Sequence, residues 1–483
     1  MSTDRRTFLQ RLLATAAGVG LSPGWLIRYG ENYGGALAAM SRKRALLIGI
    51  NTYPEPNSAF SLQGCLTDIE LQRQLLLHRF GFAATDILTL TDQEATVTRL
   101  NAALDEMVSQ LDDEDPLLIH FSGLGLLQPD AAEGEGTSLR SPALVLLEEG
   151  GQACSHLPLG TLFQTLAALS TSQLTLILDC GFNFVEPRVR GNLHLRSCPT
   201  AISQVVSAQD NPSPTSQLPA LPRGLLLTAT SAEELAAEAT WSGFVAGIVT
   251  YLLTQYLWET TPATKVLTAF NHVTTQRELA SLACQQPILQ GNDLQSRQLA
   301  PELHTALEPG TRGWTGVIQE VKGNRASLWL GGVPPGVLCG LQNGTVLRVF
   351  PQDPGQGDVG KMVLRARNGL TAQATLVSEE KIPAVGTGIY ERERALSLNM
   401  RVLVGMDDSL GRIEKVDITN ALAAMPWAEA VYPQDQRVDC LLGKLSTAGN
   451  ASGEGYGLFW PGRELIAGSW GPLEKRPRQP YNG

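Results

Sequence analysis

The sequence predicts an α/β fold, a mostly parallel sheet flanked by helices, followed by a β-rich C-terminal region. Three observations predict it. Continuous apolar runs such as Ala45-Leu46-Leu47-Ile48-Gly49-Ile50 suit strands buried on both faces. Between Lys43 and about residue 292 such runs alternate with segments of helical periodicity, the pattern of a parallel sheet covered by helices. After about residue 305, Gly-rich turns separate short β-type runs.

The elements follow in order. The spacing of Ile69, Leu71, Leu75, Leu76 and Phe80 predicts a helix over Asp68 to Phe80 that stops at Gly81. Ile87 to Leu90 is a short strand and Thr96 to Leu111 a second helix. Asp112-Asp113-Glu114-Asp115-Pro116 is a charged turn, and Leu117 to Phe121 a third strand. That acidic run lacks the alternating oxygen ligands of a calcium loop, so it is expected to be a solvated turn. A strand over Ala143 to Leu147, a helix over Leu159 to Leu169 and a strand over Leu174 to Leu178, ending at Asp179, continue the alternation. Residues 185–222, rich in Pro, Ser, Arg and Gln, are expected to form a long loop. Leu225 to Thr228 is a strand; Phe244 to Trp258 and Val266 to Leu279 are helical.

Beyond this lie Trp314 to Val321, Arg325 to Leu330, Thr345 to Phe350, Lys361 to Ala366 and Thr371 to Val377, the spacing of a small barrel or sandwich over 305–395. Residues 396–483 are expected to form a C-terminal α+β or β-rich domain.

Composition excludes several classes. A net charge of −10 argues against nucleic acid and against adhesion to an anionic membrane, because both need clustered Lys and Arg. Seven cysteines, widely spaced and without a CxxC, give neither a zinc site nor a disulfide framework; no metal or cofactor is expected. No Gly-Lys-Ser/Thr follows a glycine-rich turn, so there is no phosphate loop.

The first 39 residues stand apart. Arg5-Arg6-Thr7-Phe8-Leu9 precedes a modest apolar stretch from Leu12 to Ile27, and Ala36-Leu37-Ala38 offers a cleavage site, features of a twin-arginine export signal. Gly18, Gly20, Pro23 and Gly24 make the stretch a poor membrane span. The expectation is export to the periplasm, or a cytoplasmic protein if translation starts at Met40.

Eight segments, in order, carry a resemblance. Arg44 to Tyr53 resembles the opening strand of metacaspases. Leu62-Gln63-Gly64-Cys65-Leu66-Thr67-Asp68 resembles their Gly-Cys-x-x-Asp segment, and Asp86 to Asp92 their second strand and loop. His120-Phe121-Ser122-Gly123-Leu124-Gly125 is similar to His-Tyr-Ser-Gly-His-Gly, and Leu178-Asp179-Cys180-Gly181-Phe182-Asn183 to Asp-x-Cys-His-Ser-Gly. Thr228 to Ser231, Phe244 to Leu253 and Gln286 to Gly291 resemble the small-subunit half. Residues 40–300 are thus identified as a caspase-like domain of the bacterial metacaspase (orthocaspase) type, peptidase C14.

The resemblance implies a thiolate nucleophile and an imidazole base, but their positions hold Gly181 and Leu124. Cys180 and His120 are the nearby candidates for an unforeseen dyad. Alternation along a strand turns Cys180 away from the Gly181 side. The resemblance also implies a pocket for Arg or Lys built from Cys65, Asp68, Ser122 and Asp179, all of which keep the family's residue type. A second reading has Asp68 capping its helix and Asp179 held by loop amides.

The expected function is a noncatalytic pseudoprotease that binds an Arg- or Lys-bearing peptide or protein, with an unknown partner for the C-terminal region. The alternatives are an active Arg/Lys-specific cysteine endopeptidase with a non-standard dyad, or an exported structural protein with a relic fold.

Overall fold

The computed structural model describes residues 43–113, 115–129, 140–185, 189–190, 193–199, 218–259, 266–276, 285–291, 314–349, 360–377, 382–395, 401–433, 438–445 and 455–472. The N-terminal segment and the boundary expected near residue 305 lie outside them.

A six-stranded sheet is the frame of the first half. It comprises β1 (Arg44–Gly49), β2 (Ile87–Thr91), β3 (Leu117–Ser122), β7 (Leu174–Asp179), β10 (Leu225–Thr228) and β13 (Ile288–Gly291), in the order β13-β10-β7-β3-β1-β2. All neighbours are parallel except β10 and β13. Every residue of β1 and β3 is buried, as their apolar runs predict. Helices α1 (Cys65–His78), α2 (Val97–Gln110), α3 (Leu159–Ala167), α4 (Ile248–Glu259) and α5 (Val266–Gln276) follow the strands. Thr96 caps α2, accepting a hydrogen bond from Arg99 N at 3.2 Å.

Alternation along the strands divides the core in two. Leu118 and Ile177 face one layer with Ile69, Leu75 and Val249. Ile119, Phe121, Leu176, Leu178 and Cys180 face the other, with Leu100, Leu104, Leu162 and Phe163. Register places Gly49 beside Ser122, and Ser122 beside Asp179, at the carboxyl ends of three adjacent strands, where open α/β sheets form their sites.

Two small antiparallel sheets border that end. One joins β4 (Gly125–Pro129), β5 (Arg140–Leu147) and β6 (Cys154–Pro158); the Ala143–Leu147 strand therefore lies outside the main sheet. The other joins β8 (Val189–Arg190), β9 (Leu193–Leu195), β11 (Ala237–Thr240) and β12 (Val245–Gly247). The stretch expected to be loop over 185–222 thus contains two strands. The amphipathic signal was too short to read, because β8 and β9 have two and three residues.

The second half begins with a closed six-stranded barrel: β14 (Gly316–Lys322), β15 (Arg325–Trp329), β16 (Val346–Val349), β17 (Lys361–Asn368), β18 (Thr371–Leu376) and β19 (Gly388–Glu393), with a short turn α6 (Pro335–Leu338). Its side chains Val317, Trp329, Leu330 and Val333 share a core with Tyr251, Leu257 and Trp258 of α4. Beyond it, β20 (Val402–Met406), α7 (Arg412–Ala423), β21 (Ala428–Val431), β22 (Cys440–Leu445), β23 (Gly455–Phe459) and β24 (Gly471–Pro472) form a mixed five-stranded sheet with one helix. Among the described residues, no helix is long and apolar enough to cross a membrane.

Candidate functional site

The site lies where β3, β7, α1 and α4 meet. Asp68 sits in the first turn of α1, Ser122 ends β3 and Asp179 ends β7; all three are fully buried. Cys65, the first residue of α1, is buried beside them, and burial pushes its thiol pKa well up. The structure therefore brings Cys65, Asp68, Ser122 and Asp179 into one cluster.

A guanidinium already stands in that cluster, and it belongs to this chain. Arg196, just after β9, is fully buried. Its Nη1 donates to Ser122 Oγ (2.7 Å) and to the Asp179 carbonyl (3.2 Å); its Nη2 donates to Asp68 Oδ2 (2.7 Å) and Glu238 Oε2 (3.3 Å). The Asp179 carboxylate lies 3.3 Å from Nη1, an ion pair too oblique for a hydrogen bond. Ser122 Oγ in turn donates to Asp68 Oδ2 at 2.6 Å.

The carboxylates have further partners, apart from Asp179 Oδ1, which accepts no hydrogen bond. Gly247 N donates to Asp68 Oδ1 (2.9 Å), so Asp68 does not cap α1; the helix begins three residues before it, with Gly64 as N-cap. Asp179 Oδ2 accepts from Thr250 N (3.1 Å) and Thr250 Oγ1 (2.5 Å), in the first turn of α4, where the positive end of the helix dipole favours an anion. Glu238 accepts from Gln63 N (2.9 Å) and Gly64 N (3.0 Å).

Glu238 and Arg196 are the two members that the sequence reading missed. Arg196 lies in a polar stretch that resembles loop. Glu238 carried a signal: a charge flanked by Ala236, Ala237 and Ala239 has no solvated face to belong to.

Electrostatics follow from burial. Removal from water lifts Asp68 to a pKa of about 7, against the pull of Arg196, while Asp179 pushes it further up. Burial alone would lower the pKa of Arg196; Asp68, Cys65, Asp179 and Glu238 outweigh it and hold the guanidinium charged. Gly247 leaves room for this head group. A Cβ there would stand 2.3 Å from Asp179 Oδ2 and 2.6 Å from Arg196 Nη1.

The positions implied for base and nucleophile flank the cluster. Leu124 is fully buried, its N–H donating to Tyr53 Oη at 2.8 Å. At Gly181 a Cβ would lie 3.1 Å from Ala236 N, so a longer side chain would press on the strand β11 approach. The Gly181 N–H and the Gly125 N–H both donate to the carbonyl oxygen of Arg196, at 2.9 and 3.3 Å.

His120 and Cys180 do not form a pair. Cys180 belongs to the core layer of Phe121 and Leu178, whereas His120 alternates with Phe121 and so faces the layer of Leu118 and Ile177. Burial lowers the His120 pKa to about 4 and raises that of the Cys180 thiol far above the usual range. Among the described residues, neither ring nitrogen of His120 has a hydrogen-bond partner, and no His/Cys/Asp/Glu group is arranged to hold a metal.

Comparison with known proteins bears on this arrangement. Residues 43–183 match the family described as metacaspase, peptidase C14 domain. This part of the chain is a caspase-like domain of the peptidase C14 family. Metacaspase-7 of Arabidopsis thaliana is 38% identical over 101 residues, covering 20% of this chain and 24% of the relative. Metacaspase-1B of Aspergillus clavatus is 39% identical over 95 residues, covering 18% and 22%. The chain thus spans about a quarter of the length of the curated relatives it matches. A crystal structure of caspase-1 from Spodoptera frugiperda aligns with 56% of this chain and 92% of its own, at 14% identity and a TM-score of 0.32. The C14 domain here thus carries Leu124 and Gly181 inside its matched segment.

Proposed function

We propose that this C14 domain is a noncatalytic module that binds or regulates rather than cleaves. One observation carries the proposal: Leu124 and Gly181 occupy the places of base and nucleophile, and neither residue can take a proton or attack a carbonyl. Removing the members of such a unit costs on the order of 10⁶ in turnover. The separation of His120 and Cys180 onto opposite faces supports the same reading, because a substitute dyad needs its two groups within hydrogen-bond reach.

An arginyl chloromethyl ketone tests this directly. Intact-mass analysis should find the full chain unmodified after incubation, with and without calcium. A stoichiometric adduct on any cysteine that disappears on unfolding the chain first would instead establish a working nucleophile.

A further inference from the structure

An ion pair needs only the head group of an arginine. Arg196 is held at both ends. Its guanidinium is enclosed by Asp68, Ser122, Asp179 and Glu238, and its carbonyl oxygen receives two converging backbone N–H groups, from Gly125 and Gly181. Two N–H donors on one carbonyl oxygen, beside the places of base and nucleophile, are the arrangement that polarises a scissile carbonyl. The backbone on either side is fixed like an added strand: Arg196 N donates to Ala236 O (2.9 Å), Cys198 N donates to Gly125 O (3.1 Å), and Leu195 pairs with Ala237.

We propose that Arg196 is a ligand carried in cis. Its segment occupies the C14 site as an arginyl peptide would, and it keeps the site closed to free arginyl peptides. The inference rests on the noncatalytic reading of the site, since the Arg196–Ser197 bond persists in this position only if nothing attacks it. A tethered ligand acts at an effective concentration in the millimolar range, so a free competitor of similar intrinsic affinity is excluded. Displacing the 193–199 segment, or removing the Arg196 side chain, exposes a receptor for one guanidinium, and displacing the segment also frees the two N–H groups that hold the carbonyl oxygen of the same residue.

The test uses the full chain and acetyl-arginine-amide, with acetyl-citrulline-amide as the uncharged isostere. Arg196→Ala should melt at a lower temperature than the unaltered chain. Saturating acetyl-arginine-amide should restore about 2–4 °C of the loss, and the citrulline compound none. The unaltered chain should respond to neither. An equal shift in the unaltered chain, or a folded Arg196→Ala chain that ignores the arginine compound, would overturn the proposal.

Should that variant not fold, trypsin reads the same contact in the unaltered chain. Trypsin needs the Arg196 side chain in its own pocket, so native cleavage after Arg196 should be at least about 10-fold slower than after the exposed Arg223, and Asp68→Asn should accelerate it. Equal rates at the two arginines would refute the contact. None of these readouts measures turnover, so they can fail while the noncatalytic reading stands, and the reverse holds as well.

Discussion

Three carboxylates around one guanidinium, all out of water, make the Arg196 cluster sensitive to each member. Breaking a buried pair leaves an uncompensated charge and costs about 3–5 kcal/mol. Arg196→Met removes the guanidinium from Asp68, Asp179 and Glu238 and is expected to cost that much in denaturant unfolding. Asp68→Asn should cost less, because burial lifts the Asp68 pKa to about 7 and so offsets part of what its charge contributes at neutral pH. Protons add a second dependence. The unfolded chain releases the Asp68 proton near the ordinary 3.8, the folded chain only near 7, so this group's contribution is greatest in acid and fades as pH rises through about 7. His120 runs the other way. Its pKa falls from 6.5 to about 4 on burial, so its contribution is complete above 6.5 and is lost as pH drops through 4, on the order of 3 kcal/mol at full shift. Melting curves of His120→Gln between pH 6.5 and 4 should therefore fall less steeply than those of the unaltered chain. A parallel fall would assign the acid sensitivity elsewhere.

Helix α4 joins the site to the barrel. Its first turn supplies Thr250 to Asp179, and its last turn buries Trp258 beneath the barrel residues Val317, Trp329 and Leu330. Tyr251 Oη donates to Val333 O (3.3 Å), Trp314 N donates to Trp258 O (3.2 Å), and Arg367 Nη2 donates to Ser242 Oγ (2.7 Å). Trp258→Ala is expected to cost about 3–5 kcal/mol, and a chain cut back to 43–300 should expose this face and aggregate; a soluble, monomeric fragment with a native melt would show that the barrel is dispensable. Gly247→Ala, with no room beside Asp179 Oδ2, should lose about 1–3 kcal/mol by overpacking, read as a lower melting temperature. These elements differ in how far the sequence reveals them. β1, β3 and β7 are legible because a strand buried on both faces leaves an unbroken apolar run. β19, which closes the barrel, reads Gly388-Ile389-Tyr390-Glu391-Arg392-Glu393 and shows no such run. β8 and β9 are too short to carry a period, and what buries Arg196 is the position of Asp68, 128 residues earlier in the chain. Cys65, Asp68, Ser122 and Asp179 could be read from local motifs; their occupant could not, because nothing local to residue 196 specifies it.

Across the whole molecule, a C14 domain, a closed barrel and a mixed α/β sheet follow one another in one chain. The lost groups are those that make and break bonds, while the parts that fix an arginine are complete. On the noncatalytic reading proposed above, that division suits a module whose output is an interaction. We also expect the twin-arginine segment to direct export: a reporter fused after Ala39 should leave the cytoplasm, and Arg5→Lys with Arg6→Lys should retain it. The most direct measurement of the central claim is hydrolysis of a fluorogenic arginyl peptide by the purified full chain, with calcium and with chelator, beside Cys180→Ala and His120→Ala. The account predicts no release above buffer in any of the three. Turnover by the unaltered chain that either substitution abolishes would contradict it.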